Sequence, residues 1–356
     1  MIARSETNPH IQALGLWLYS VALGILLMVL IGGATRLTGS GLSITEWQPI
    51  MGTIPPLSAE DWETAFDKYK QTPQFRISNP DMDMAGFKVI FFWEYLHRLW
   101  GRFLGILFAL PLIVFAVKKQ IGPALMLKLG LALLLGSAQG FLGWFMVQSG
   151  LVDKPWVSPY RLSAHLLLAV ILFSWILWLA CEQTLPGRSK LLPGGKSVAW
   201  LRWVMPLLFA LLLLQIVWGG FMAGGRLAMS YPSFPTLNGQ WLPPMLFQFE
   251  SLWHHLCENP AAVHLIHRSL GTVLVLAVML LWWKTRTCGF QGILGWARHG
   301  LLGLVCFQFY LGIMTVLGSV GRVPLVLGVV HQVTAVVLLG ALLVFWHQSR
   351  RLTVDG

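Results

Sequence analysis

The chain has 356 residues, of which 56% are hydrophobic and 11% charged, with a formal net charge of +11. Soluble domains carry about 25% charged residues, so the composition excludes a soluble protein and equally a disordered or collagen-like chain, and 4 Cys in this length exclude a small disulfide scaffold. Mean hydropathy of +0.68 and 18 Trp point instead to a polytopic membrane protein rich in interfacial aromatics. Its basic excess then marks cytoplasmic loops, with membrane lipids and no nucleic acid as partner.

A spanning helix needs about 20 mostly apolar residues. Eight runs qualify, at 12–33, 88–117, 123–147, 162–182, 200–222, 262–283, 294–317 and 324–347. No basic n-region or cleavage site precedes the first, which therefore reads as a retained span, and no Arg-rich transit segment is visible. Between spans one and two, Trp62, Ala65, Phe66 and Tyr69 recur at helical spacing, as do Phe249, Leu252, Trp253 and Leu256 between spans five and six. Each stretch reads as a short helix, either on the outer membrane surface or packed on the bundle. Residues 186–199, with Pro186-Gly187 and Pro193-Gly194-Gly195, read as a cytoplasmic linker.

Placing both termini and the even-to-odd connections on one side puts Arg4, Lys118, Lys119, Lys128, Arg188, Lys190, Lys196, Arg202, Lys284, Arg286, Arg298, Arg350 and Arg351 there, with only Glu6, Glu182 and Asp355. The positive-inside rule makes that side the cytoplasm. The expected location is the bacterial inner membrane, with both termini cytoplasmic.

The two halves repeat. Gly32-Gly33 with Arg36-Leu37 is echoed by Gly219-Gly220 with Arg226-Leu227. His97-Arg98 and Gly101 return as His267-Arg268 and Gly271, Gln139 to Gly143 as Gln308 to Gly312, and His165 with Ala169 as His331 with Ala335. Four matches in the same order imply a duplication. The fold expected is an all-α polytopic membrane protein: eight transmembrane helices in two tandem, pseudo-symmetric four-helix bundles, 1–185 and 200–356.

Of the 10 His, His10, His254, His255, His299 and His347 lie near span ends or in a loop and read as interfacial. His97, His165, His267 and His331 lie in the outer halves of the even spans and belong to the repeat. Ionisable residues inside a span are costly and mark function. No third Cys, Asp or Glu ligand recurs, which disfavours zinc. Two imidazoles across a bundle core suit haem iron. Gly101 and Gly271 would let a flat macrocycle approach, and Arg98, Arg268, Arg36 and Arg226 stand where propionates would emerge. Both sites fall at the same outer, periplasmic level. A transmembrane electron wire is therefore disfavoured, because it needs two histidines about 20 Å apart along one helix.

These residues, with Glu94-Tyr95-Leu96-His97-Arg98, the run Gly32 to Ser43 and the duplicated spans, resemble the haem A synthase family over nearly the whole chain. The resemblance implies an oxidoreductase that converts haem O to haem A for cytochrome oxidase, oxidising a ring methyl to formyl through hydroxylated intermediates. It implies haem b as cofactor between His267 and His331, haem O as substrate between His97 and His165, and haem O synthase and oxidase assembly factors as partners. A homo-oligomer stays open. Some members carry a cysteine pair in the outer loops. Here loop one has none and the second has only Cys257, as in the cysteine-free proteobacterial and mitochondrial-type branch.

Glu94 distinguishes the halves. It precedes His97 by three residues, where His264 precedes His267. An acid at one site only marks the first half as reactive, with Glu94 as proton acceptor or charge stabiliser, unless it merely pairs with Arg98. A haem delivery protein without chemistry, and a b-type membrane cytochrome, are the competing expectations.

Overall fold

The structure is a computed structural model that describes residues 9–47, 51–185, 189–190, 198–248, 251–350 and 352–353. Arg4, Glu6, Arg188, Lys196, Phe249, Arg351, Asp355 and the Pro-Gly turns expected in the linker lie outside the described residues.

Among the described residues eight helices are long and apolar enough to cross a membrane: α1 (Pro9–Leu37), α4 (Met84–Val117), α5 (Pro123–Gln148), α6 (Pro159–Thr184), α7 (Leu201–Gly224), α9 (Pro260–Thr285), α10 (Gly292–Leu317) and α11 (Leu325–Ser349). In lipid the backbone must satisfy its own hydrogen bonds, and a helix does so. Several helices overrun the expected spans by up to four residues, as at Met84 and Leu37. Apolarity marks only the part in hydrocarbon. The helix itself continues through the polar interface until capped, as by Asp83, which accepts from Gly86 N, and by Asn259, which accepts from Ala261 N and Ala262 N beside Pro260.

Among the described residues three short helices lie in the connections between α1 and α4 and between α7 and α9: α2 (Ala59–Lys70), α3 (Pro73–Ser78) and α8 (Leu252–Cys257). Ser58 and Asp61 form a capping box at the start of α2. The apolar face of α2 packs on α4 rather than on the membrane surface. Phe66 and Tyr69 stack on Phe87, and Trp62 meets Phe91 edge-on. In α8, by contrast, Leu252 and Trp253 stay exposed. Residues 189–190 pair in parallel with 352–353, tying the linker to the tail.

In the first half α1 packs on α4 and α6, and α5 on α4 and α6; in the second α7 packs on α9 and α11, and α10 on α9 and α11. The halves meet through α6 with α7 and α1 with α11, two contacts that exchange under a two-fold swap, and through α6 with α11 on its axis. One hydrophobic core runs through both, from Leu18 and Ile176 to Leu212 and Leu339. The central helices α1 and α6 are therefore the most buried, while α4 presents Phe92, Phe103, Ile106 and Leu110 outward, where lipid covers them.

Candidate functional site

α9 and α11 bring His267 and His331 opposite each other, with ring centroids 6.5 Å apart and ring planes at 78°. An imidazole nitrogen about 2 Å from a metal on each side puts two centroids roughly 6 Å apart, so one ion fits between these rings. His267 lies against Gly219 of α7 and His331 against Gly312 of α10, where a Cβ would stand 3.3 and 3.1 Å from the respective Cε1. The first half repeats the device. His97 on α4 lies against Gly32 of α1 and His165 on α6 against Gly143 of α5, at 3.0 and 3.1 Å.

The repeated glutamines explain themselves in the same way. Gln139 donates to the His165 carbonyl and Gln308 to the His331 carbonyl, each at 3.0 Å. In each QxxLG stretch, glutamine holds the backbone of the second histidine and glycine makes room for its ring. Gly271 lines the cavity, and a Cβ there would come within 3.1 Å of Gln215 Nε2. The open side of Gly101 instead meets Met28, at the crossing of α1 and α4.

Nδ1 of all four histidines is buried without a hydrogen-bond partner. Burying polar nitrogens unpaired is costly, and the cost falls on the residues that the repeat conserves between halves. Among the described residues no cluster of three His, Cys, Asp or Glu could hold a bare ion. Two imidazoles thus suit a metal that brings its remaining ligands with it, as a tetrapyrrole does. Around His267 and His331 lies a cavity of about 980 Å³, lined by apolar side chains and by Arg36, Arg226, Arg268 and Arg322. That is the upper end of small-molecule sites, about 300–1,000 Å³.

The four expected arginines divide. Arg36 comes from the first half yet lines the second-half cavity, donating to Ala223 O at 3.2 Å. Arg226 is exposed at the cavity, in a left-handed backbone conformation, its guanidinium over Trp156. Arg98 and Arg268 are engaged with the loops that follow α1 and α7. Arg98 donates to Ile44 O and Glu46 O, and Arg268 to Tyr231 O, Pro235 O and Thr236 O.

Glu94 is buried, at 3% exposure. One oxygen pairs with Arg98 at 2.7 Å; the other accepts from Ser43 N, Ser43 Oγ and Ile44 N. His264 does the corresponding work, bonding Leu227 O through Nε2 and Arg268 through Nδ1. Each half therefore clamps the loop after its first span with the residue three before its first histidine. Arg322, Gln215 and Gln332, which line the cavity, carry no signal in the sequence, because none recurs in the other half.

A profile of the COX15-CtaA family, described as cytochrome oxidase assembly protein, matches residues 15–343. The chain is 41% identical over 340 residues to "Heme A synthase" of Nitrosospira multiformis, covering 96% of this chain and 94% of that protein. It is 42% identical to "Heme A synthase" of Beijerinckia indica, covering 95% and 93%, and 37% identical to "Heme A synthase COX15" of Arabidopsis thaliana, covering 97% and 76%.

Proposed function

This chain belongs to the COX15-CtaA family of cytochrome oxidase assembly proteins, and we propose from that membership and the paired histidines that it is a haem A synthase, an oxidoreductase acting on the ring methyl of haem O. The observation that carries the proposal is the duplicated site: two pairs of half-buried histidines with buried Nδ1 atoms, each ring against a glycine, and 6.5 Å between the ring centroids of His267 and His331.

We assign haem b to His267 and His331, and the substrate haem O to His97 and His165. Of the four cavity arginines, Arg36, Arg226 and Arg322 are the ones that would meet propionates, Arg268 being engaged with the loop after α7. When bound, haem b supplies one-electron transfer. The protein's own work is to hold the ring of each histidine against a glycine, exclude water with apolar walls, and close each site from outside by a clamped loop. Glu94 has both oxygens taken by donors, so the role we assign it is a fixed negative charge beside His97, facing positive charge that develops at an oxidised methyl. Both termini are assigned to the cytoplasm and both sites to the outer side. Haem O synthase and oxidase assembly factors are the partners that deliver substrate and take product.

The test is expression in cells that make haem O but no haem A, followed by pigment extraction. Haem A or hydroxylated haem O supports the enzyme. Haem b alone at two equivalents supports a cytochrome, and unmodified haem O a delivery protein; either overturns the proposal.

A further inference from the structure

Each half carries a glycine pair on its first helix, and the two members of a pair face different halves of the molecule. Gly32 lies against His97, in its own half. A Cβ on Gly33 would instead come within 3.2 Å of Gln332 Nε2, on α11 directly after His331. The Gln332 amide donates to Val29 O of α1 at 2.9 Å, so the residue beside a second-half histidine is pinned to a first-half helix. The other pair mirrors this. Gly219 lies against His267, in its own half, whereas a Cβ on Gly220 would come within 2.6 Å of Ser163 Oγ and 3.1 Å of Ser163 Cα, on α6 two residues before His165. These are the α1–α11 and α6–α7 contacts that join the halves.

Glycine here serves close approach rather than an unusual backbone conformation. The two contacts differ in stiffness. A methyl at Gly33 meets the end of a flexible side chain, and Gln332 yields by leaving or shifting on Val29. A methyl at Gly220 meets backbone, and α6 itself has to move. Leu166, the residue after His165, lines the second-half cavity together with Gln332.

We infer that Gly33 and Gly220 are positioning residues that act across the halves: Gly33, in the substrate half, sets the seating of His331, and Gly220, in the cofactor half, sets the seating of His165. Gly32 and Gly219 seat the first histidine of their own halves. The inference rests on the assignment of haem b to His267 and His331 and of haem O to the other pair.

The direction of the effect separates this from ordinary helix packing. Gly33→Ala, Gln332→Leu and Gly220→Ala are compared in the full-length membrane protein, with His267→Ala as reference. The readouts are the low-spin absorption and electron paramagnetic resonance signals of bound haem b, and the ratio of haem A to haem O extracted. Gly33→Ala should shift the haem b signal although it lies in the other half, and Gln332→Leu should reproduce the shift. Gly220→Ala should leave that signal at its wild-type position and lower the haem A to haem O ratio about 100-fold, the effect of a misplacement near 1 Å. Adding Ser163→Gly, which removes the nearest atoms, should recover part of the ratio, and the double variant replaces Gly220→Ala if the single fails to accumulate. A wild-type haem b signal in both Gly33→Ala and Gln332→Leu, or a shifted one in Gly220→Ala, overturns the crossed arrangement. A haem b signal that survives His267→Ala overturns the assignment beneath it, a distinct result.

Discussion

Glu94 and His264 hold corresponding places in the duplication, and each grips the loop that follows the first span of its half. Glu94 does so as a carboxylate with five donated hydrogen bonds, from Ser43, Ile44 and Arg98. Glu94→Gln therefore puts an amide NH2 against donors, and leaving buried donors unpaired costs about 1–3 kcal/mol. The isosteric exchange is not neutral for the loop. If the fixed charge serves the reaction, Glu94→Gln lowers the haem A to haem O ratio about 100-fold at matched protein level. Glu94→Asp, which keeps the charge, retains more conversion than Glu94→Gln; equal losses would assign Glu94 to the loop alone, and a wild-type ratio in Glu94→Gln would remove it from the mechanism. In the sequence the asymmetry between Glu94 and His264 was visible, and so was Arg98 one turn on. The donors from Ser43 and Ile44 were not, because helical spacing reports neighbours within a turn and these come from 51 and 50 residues away. Gln215 escaped for a related reason. Its counterpart facing Gly101 is Met28, so comparing the halves returned no match.

α2 covers the start of α4 through an aromatic stack. Phe87 is fully buried between Phe66 and Tyr69, with Trp62 at its edge. Burial also raises the Tyr69 hydroxyl pKa above its usual value, so that tyrosine stays neutral and donates to Gln74 Oε1 while accepting from Asn79. Phe87→Ala should cost about 3–5 kcal/mol and release α2. Limited proteolysis then cuts between residues 51 and 72 faster than in wild type, with haem b undisturbed in the second half. Unchanged cleavage would mean that the helix is held by its caps alone. The periodicity of Trp62, Ala65, Phe66 and Tyr69 revealed this helix but not what it covers. The same pattern suits a bilayer surface and a bundle, and only the placement of Phe87 and Phe91 on α4 decides between them.

Eight spans were legible from hydropathy, because lipid imposes length and apolarity on each helix separately. The seam between the halves was not. A duplication implies two bundles, each enclosing its own site, yet α1 packs on α11, Arg36 reaches the second-half cavity and one core runs through all eight helices. Such contacts leave no period in the sequence, since in membrane helices apolar residues face both partners and lipid. The account as a whole depends on the two histidine pairs having different occupants. The direct measurement is the haem b spectrum, with pigment content, of His97→Ala, His165→Ala, His267→Ala and His331→Ala. Loss or conversion of the low-spin signal should follow only from His267→Ala and His331→Ala, which each remove an axial imidazole. His97→Ala and His165→Ala should keep that signal and fail to form haem A. An unchanged haem b spectrum in both second-half variants would contradict the account.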